Sequence, residues 1–135
     1  MNKNYIYLKS IIPNECKSKI LFNLNKNSNI NHLVNLLSLE FNIDCISDSD
    51  IINGYTNDWS NMNGYADVLC RPKNEYECAL ILRSCQEAKI PITISAGRTN
   101  LNGSATPLGG LILSVENLTR PLIQVDNINK TISSP

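Results

Sequence analysis

With 135 residues, twelve basic against twelve acidic side chains and 42% hydrophobic content, the chain has the make-up of one globular domain, or of part of a larger one. It carries no charge excess that would draw it to nucleic acid or a lipid surface. No apolar run approaches the ~18 residues of a membrane span, and the opening MNKNYIYLKSIIPNECK lacks the long apolar segment and cleavage site of a secretory signal.

Five cysteines, none in a CxxC, and a single histidine, His32, argue against zinc held on the usual spacings. The odd cysteine count without an export signal points to reduced thiols in a cytoplasmic chain. Asparagine is abundant, above all in NLNKNSNINHLVN, as a compositional bias laid over a foldable pattern. Ile30, Leu33, Val34, Leu37 and Phe41 then recur at spacings of three and four, which predicts an amphipathic helix ending near Asn42. IDCI is a short apolar piece, and the Ser and Asp of SDSDII can cap a brief second helix. Asn53–Tyr65, NGYTNDWSNMNGY, is rich in turn formers and aromatics and reads as a loop crossing the surface of another element. Trp59 within it is expected to pack into the core.

From Ala66 the texture changes. ADVLC reads as a buried strand stopped by Arg71-Pro72. Asn74, with Glu77 three positions on, forms the N-cap and capping box of a helix whose buried face is expected at Cys78, Ile81, Leu82 and Cys85. Lys89 closes that helix with a favourable charge. IPITI (90–94), LILSV (111–115) and LIQVD (122–126) read as further strands. Strand, helix, strand over some twenty residues is the pattern of a right-handed parallel crossover. It sets Ser95–Gly110, SAGRTNLNGSATPLGG, at the carboxyl end of a strand, where open α/β sheets bind ligands.

That run holds four of the six glycines and no acidic residue. Gly97 and Gly103 permit unusual dihedrals and close approach, Thr99 and Ser104 offer hydroxyls, Asn100 and Asn102 amides, and Arg98 a positive charge. It is neither a P-loop nor a GxGxxG fingerprint. Composition and placement leave two readings open, an anion cradle and a plain turn.

The run from Ala66 to Asp126 resembles the FAD-binding domain of the vanillyl-alcohol oxidase/PCMH superfamily. It is most similar to FAD-linked oxidases of the glycolate oxidase subunit and D-lactate or D-2-hydroxyglutarate dehydrogenase type. The resemblance rests on VLCRP (68–72), the helix from Asn74, IPITI, the loop SAGRTNLNGSATP against the family's RGxGTxxxGGxxP, GGLILSV (109–115) and LIQVD, with YTNDW (55–59) upstream. It implies an α/β fold, the N-terminal lobe of a PCMH-type FAD-binding domain. That lobe has a small, mainly parallel sheet of three or four strands flanked by helices and preceded by an N-terminal helical segment. Residues 1–65 would be the helical lead-in and loop, and 66–135 the first lobe.

By the same resemblance the loop wraps the FAD diphosphate, with Ala96, Gly97, Arg98, Thr99, Asn100, Gly103 and Ser104 as cofactor-binding residues. The family's common arginine is Ser95 here, its first loop glycine is Ala96, and Arg98 and Asn100 replace further glycines. Some members attach the flavin through a histidine near the position of Thr99, so threonine implies non-covalent FAD. The family continues beyond such a lobe into a second lobe and a substrate-binding cap, either of which, like a partner subunit, would cover exposed apolar surface left on this one. No catalytic or metal-ligating position falls within these residues. Two functions stay open: the N-terminal part of an FAD-dependent 2-hydroxy-acid oxidoreductase, and a non-catalytic remnant or interaction module that does not hold FAD stably. A UDP-sugar reductase lobe fits the Arg-Pro strand and the TNLNGSATP loop less well. Arg71 either approaches the FAD phosphates or only ends a strand, and Asp126 ends a strand.

Overall fold

The computed structural model describes residues 11–119 and 122–133. Residues 1–10, read above as part of an opening without a secretory signal, lie outside the described residues, as do 120, 121, 134 and 135. Helix α1 (Asn14–Asn23) comes first. Ile20 is its one buried side chain, which explains why no apolar stripe announces it in the sequence. Helix α2 (Ile30–Asn35) starts where the Asn29 side chain accepts the His32 amide at 3.0 Å, and it runs on as a π-helical turn over Leu36–Glu40. Leu33 and Leu37 of the predicted stripe are fully buried, and the helical run ends at Asn42, whose φ is 52°.

Strand β1 (Cys45–Ile46) and the short helix α3 (Ser49–Asn53) follow, the latter capped by Asp48, which accepts the Asp50 amide at 2.9 Å. Next come β2 (Val68–Cys70), α4 (Glu75–Ala88), β3 (Ile92–Ser95) and β4 (Leu111–Ser114). Asn74 caps α4 by accepting the Glu77 amide at 2.9 Å, while the Glu77 carboxylate reaches back to the Lys73 amide at 2.8 Å. Lys89 ends α4 by conformation as well as charge, since it takes the left-handed region at φ 56° and donates its amide to the Cys85 carbonyl.

The sheet has the order β1-β2-β4-β3, with β1 antiparallel to β2 and the other three strands parallel. The α/β class and the mainly parallel sheet agree with the sequence. Alternating side chains give the sheet two buried faces. Val68, Cys70, Leu111 and Leu113 join Leu80, Ile81 and Cys85 of α4, together with Ile20, Leu33, Leu36 and Leu37, in the larger core. Leu69 and Ile112 point the other way, onto Ile52 of α3 and the half-buried Ile46, Tyr55 and Ala66.

Three expectations are corrected. LIQVD does not enter the sheet: β5 (Gln124–Asp126) pairs antiparallel with β6 (Thr131–Ser133) in a separate exposed hairpin. Its turn is locally satisfied, because Asp126 Oδ1 accepts the amides of Ile128 and Asn129 at 2.9 and 3.0 Å, so the strand finds its partner in its own neighbour. The fourth strand of the sheet is instead the IDCI piece. On α4 the buried face is Leu80, Ile81, Ser84, Cys85 and Ala88, and Leu82 is 44% exposed. The stripe is rotated because small Ser84 and Ala88 let the helix lie close on the sheet, a contact an apolarity count misses. Trp59, expected in the core, is 71% exposed.

Candidate functional site

Because β4 lies between β2 and β3 and runs parallel to both, the chain leaving β3 at the carboxyl end of the sheet must travel back to its amino end before β4 begins. Ser95–Gly110 is that connection, and it divides in two. Its second half, 105–110, is the return path: Tyr65 pairs with it, donating its amide to the Pro107 carbonyl (2.9 Å) and accepting the Gly109 amide on its own carbonyl (2.8 Å). Gly110 ends it with φ +72°, and a Cβ there would overlap the Pro91 carbonyl oxygen. Only the first half, Ser95–Ser104, stays at the carboxyl edge of the sheet.

In this first half the amides of Ala96, Gly97, Arg98 and Thr99 donate to no protein acceptor among the described residues. Ala96, Gly97 and Thr99 are exposed, and a Cβ on Gly97 would meet nothing nearer than Thr99 Cγ2 at 4.0 Å. Arg98 occupies the left-handed region at φ 53°, a conformation that favours glycine. Its guanidinium lies 4.6 Å from the centre of the Tyr55 ring, with Nη1 3.4 Å from Ser95 Oγ.

Asn100, Asn102 and Ser104 bond to one another, and Asn100 also to Asp58. Asn100 Nδ2 donates to Asp58 Oδ2 (2.5 Å), Asn102 Oδ1 (2.9 Å) and Ser104 Oγ (3.2 Å), so the Asn100 amide, expected as a ligand donor, is spent on the loop's own shape, whereas the Ser104 hydroxyl accepts and keeps its own proton to donate. Asp58 also accepts the Ser60 amide at 2.9 Å and the Ala105 amide at 3.3 Å. Hydrogen bonding from Ser60 first, then from Asn100 and Ala105, holds its carboxyl down at about 2 against some desolvation. The Trp59 amide completes the fastening on the Asn100 carbonyl at 3.1 Å. Gly103, at φ +76°, lies where a Cβ would strike Met62 Sδ. The Thr106 hydroxyl is buried with no hydrogen-bond partner among the described residues.

A chain of charges runs along the same sheet edge. Arg71, just past β2, converges Nε and Nη2 on Asp44 Oδ2 at 2.9 and 2.8 Å, with Nη1 3.6 Å from Glu116 Oε1. The hydrogen bond to Asp44 strengthens the guanidinium's hold on its proton. Tyr55 donates its hydroxyl to Glu116 at 2.8 Å, and burial foremost, then that carboxylate, raises its phenol so that it stays protonated. Arg71 is therefore engaged with two carboxylates. Asp44 and Glu116 carried no signal in the sequence, since they meet Arg71 and Tyr55 only through the fold, up to 61 residues away.

The donor set suits an anion bearing several oxygens: consecutive main-chain amides on an exposed edge, one guanidinium beside them, and the Asp58 carboxylate taken up by the loop's own fastening. The sequence profile of the FAD binding domain family matches residues 66–134, about half the chain. The chain belongs to that family. Its cofactor is FAD, and the amides of Ala96 to Thr99 with Arg98 are a set that fits the group. The D-2-hydroxyglutarate dehydrogenase, mitochondrial, of Danio rerio is 32% identical over 85 residues, 62% of this chain and 16% of that protein. The D-lactate dehydrogenase of Archaeoglobus fulgidus is 36% identical over 61 residues, 44% of this chain and 14% of that protein. This member of the FAD binding domain family thus matches a sixth or less of those curated relatives. Among its described residues no helix is long and apolar enough to cross a membrane.

Proposed function

We propose that the chain holds the diphosphate of FAD, non-covalently, on the Ser95–Ser104 loop and serves as the N-terminal part of an FAD-dependent oxidoreductase acting on 2-hydroxy acids of the glycolate or D-lactate type. The observation that carries this reading is the run of four amides, Ala96 to Thr99, without protein acceptors at the carboxyl edge of a parallel sheet. FAD, when bound, supplies the acceptor for the hydride leaving the hydroxyl-bearing carbon. The protein's part here is holding and orienting. The Ala96, Gly97, Arg98 and Thr99 amides and the Thr99 hydroxyl face the phosphate oxygens, and the Arg98 guanidinium offsets their charge. Asn100, Gly103 and Ser104 act one step back, keeping the loop in shape around Asp58. Both curated relatives are named for D-2-hydroxy acids, which supports the substrate class. In the same proposal residues 66–135 form the flavin lobe, 1–65 its helical lead-in, and the protein is cytoplasmic.

A second reading, in which the chain keeps the lobe's fold without holding FAD by itself, is favoured by the openness of the loop, where Ala96, Gly97, Thr99, Leu101, Asn102 and Ser104 are all exposed. Titration of the full chain with FAD, followed by flavin fluorescence and competed with inorganic pyrophosphate, separates the two. The first reading expects saturable binding that Gly97→Glu abolishes without lowering the Tm, since the new side chain meets open space. Binding that survives Gly97→Glu would place FAD away from this loop, and the absence of binding would favour the second reading.

A further inference from the structure

Cys45 opens β1, Cys70 closes β2, and the register sets them directly opposite one another in the antiparallel pair. The Arg71 amide donates to the Asp44 carbonyl at 3.0 Å, so Asp44–Arg71 is a hydrogen-bonded pair and the adjacent Cys45–Cys70 a non-hydrogen-bonded one. In such a pair the Cα atoms stand ~4.5 Å apart, within the span a disulfide requires. Both side chains leave the same face of the sheet, and the two sulfurs are 3.2 Å apart. Cys70 is buried whereas Cys45 is half-buried. The remaining thiols are placed differently. Cys16 Sγ lies 3.1 Å from the Tyr76 hydroxyl, and Cys78 and Cys85 sit on α4 in the same core cluster, Cys85 close enough to Cys45 and Cys70 to feel their charge but with no sulfur–sulfur hydrogen bond among the described residues.

We propose that Cys45 and Cys70 form an oxidation site at which hydrogen peroxide converts two thiols into a cross-strand disulfide tying β1 to β2. Cys45 is the sulfur a small oxidant can reach. Its thiolate attacks the peroxide O–O bond, keeps one oxygen as a sulfenic acid, and releases the other as hydroxide, which takes up the thiol's proton as water. The Cys70 sulfur then attacks Cys45 Sγ. The S–S bond forms, the S–O bond breaks, and the departing hydroxide carries off the Cys70 proton as a second water. Two thiols are oxidised and one peroxide is reduced. The new bond closes the loop that contains α3, Tyr55 and Asp58, and it lies one residue from the Asp44–Arg71 pair. The proposal is independent of the flavin reading.

The test is treatment of the native full chain with hydrogen peroxide, alkylation of the remaining thiols, and intact mass measurement. A loss of two hydrogens with three of the five cysteines still alkylated is expected. No Lys or Arg lies between Cys45 and Cys70, so the link must be mapped after cleavage at the intervening aspartates. Oxidation should raise the Tm by about 5 °C, reversibly with dithiothreitol. Cys45→Ser should abolish both effects, while Cys85→Ser should leave both intact. A link between any other pair, the same mass loss in Cys45→Ser, or only sulfinic and sulfonic products at Cys45 would overturn the proposal.

Discussion

Asn100 Nδ2 stands 2.5 Å from Asp58 Oδ2, across 42 residues of sequence, and this contact fastens the exposed loop to the segment that runs beside it. The same carboxylate gathers the Ser60 and Ala105 amides, so one ionised group closes the loop at both ends. Because that carboxyl is held at about 2, against 3.8 for a free aspartate, its contribution to stability is complete above pH ~4 and is lost as pH falls through ~2. The Tm of the wild-type chain should therefore drop between pH 4 and pH 2 more steeply than that of Asp58→Asn, which has no proton to take up. Asp126, held down by its bonds to Asn129 and Ile128, adds to the drop in both proteins equally. Parallel acid profiles would disprove the anchoring role.

Gly110 is constrained from two sides. Its positive φ disfavours any side chain, and a Cβ would collide with the Pro91 carbonyl that accepts the Leu111 amide at 2.9 Å. Neither backbone can yield without disturbing the β3–β4 register. Gly110→Ala should cost about 3 kcal/mol in urea unfolding. Gly97→Ala, in open space at the other end of the loop, should change stability little.

Helix α4 offers a pair of adjacent positions with opposite fates. Ile81 is fully buried against the sheet, so Ile81→Ala should cost about 3 kcal/mol. Leu82 faces outward, and Leu82→Gln should stay within about 0.5 kcal/mol of wild type. Equal losses at the two sites, measured by chemical denaturation, would mean that Leu82 is covered in solution.

The contrast between Ile81 and Leu82 also marks what a sequence can carry. Elements with a local cause were legible: Asn74 and Glu77 announce the start of α4, Pro72 follows the end of β2, and the Ile30–Phe41 stripe draws its helix. The rotation of α4 was not, because Ser84 and Ala88 are buried for their size rather than their apolarity. Nor was β1, two residues long and held only by a distant strand. LIQVD reads as a sheet strand on pattern alone, and its pairing was decided by the turn that follows it. In the loop, residue types left an anion cradle and a plain turn both open, and they did not say which donors would be consumed internally. Asn100 turned inward because Asp58, remote in sequence, was there to receive it.

Arg98 decides between shape and charge in that loop. Left-handed backbone at a residue with a Cβ costs about 1 kcal/mol, and glycine would relieve it. Stacking on Tyr55 returns a similar amount, about 0.5–1 kcal/mol, which glycine would forfeit. Arg98→Gly should therefore leave the Tm nearly unchanged. If the guanidinium serves a diphosphate, the same substitution should weaken pyrophosphate binding about tenfold, and the remaining affinity should respond less to added salt. Arg98→Lys keeps the charge but not the planar stack, so it should recover part of the affinity. Calorimetric titration of the three proteins with pyrophosphate at two ionic strengths checks each point. Unchanged affinity in Arg98→Gly would reduce Arg98 to a support for Tyr55 and leave the main-chain amides alone to hold the anion.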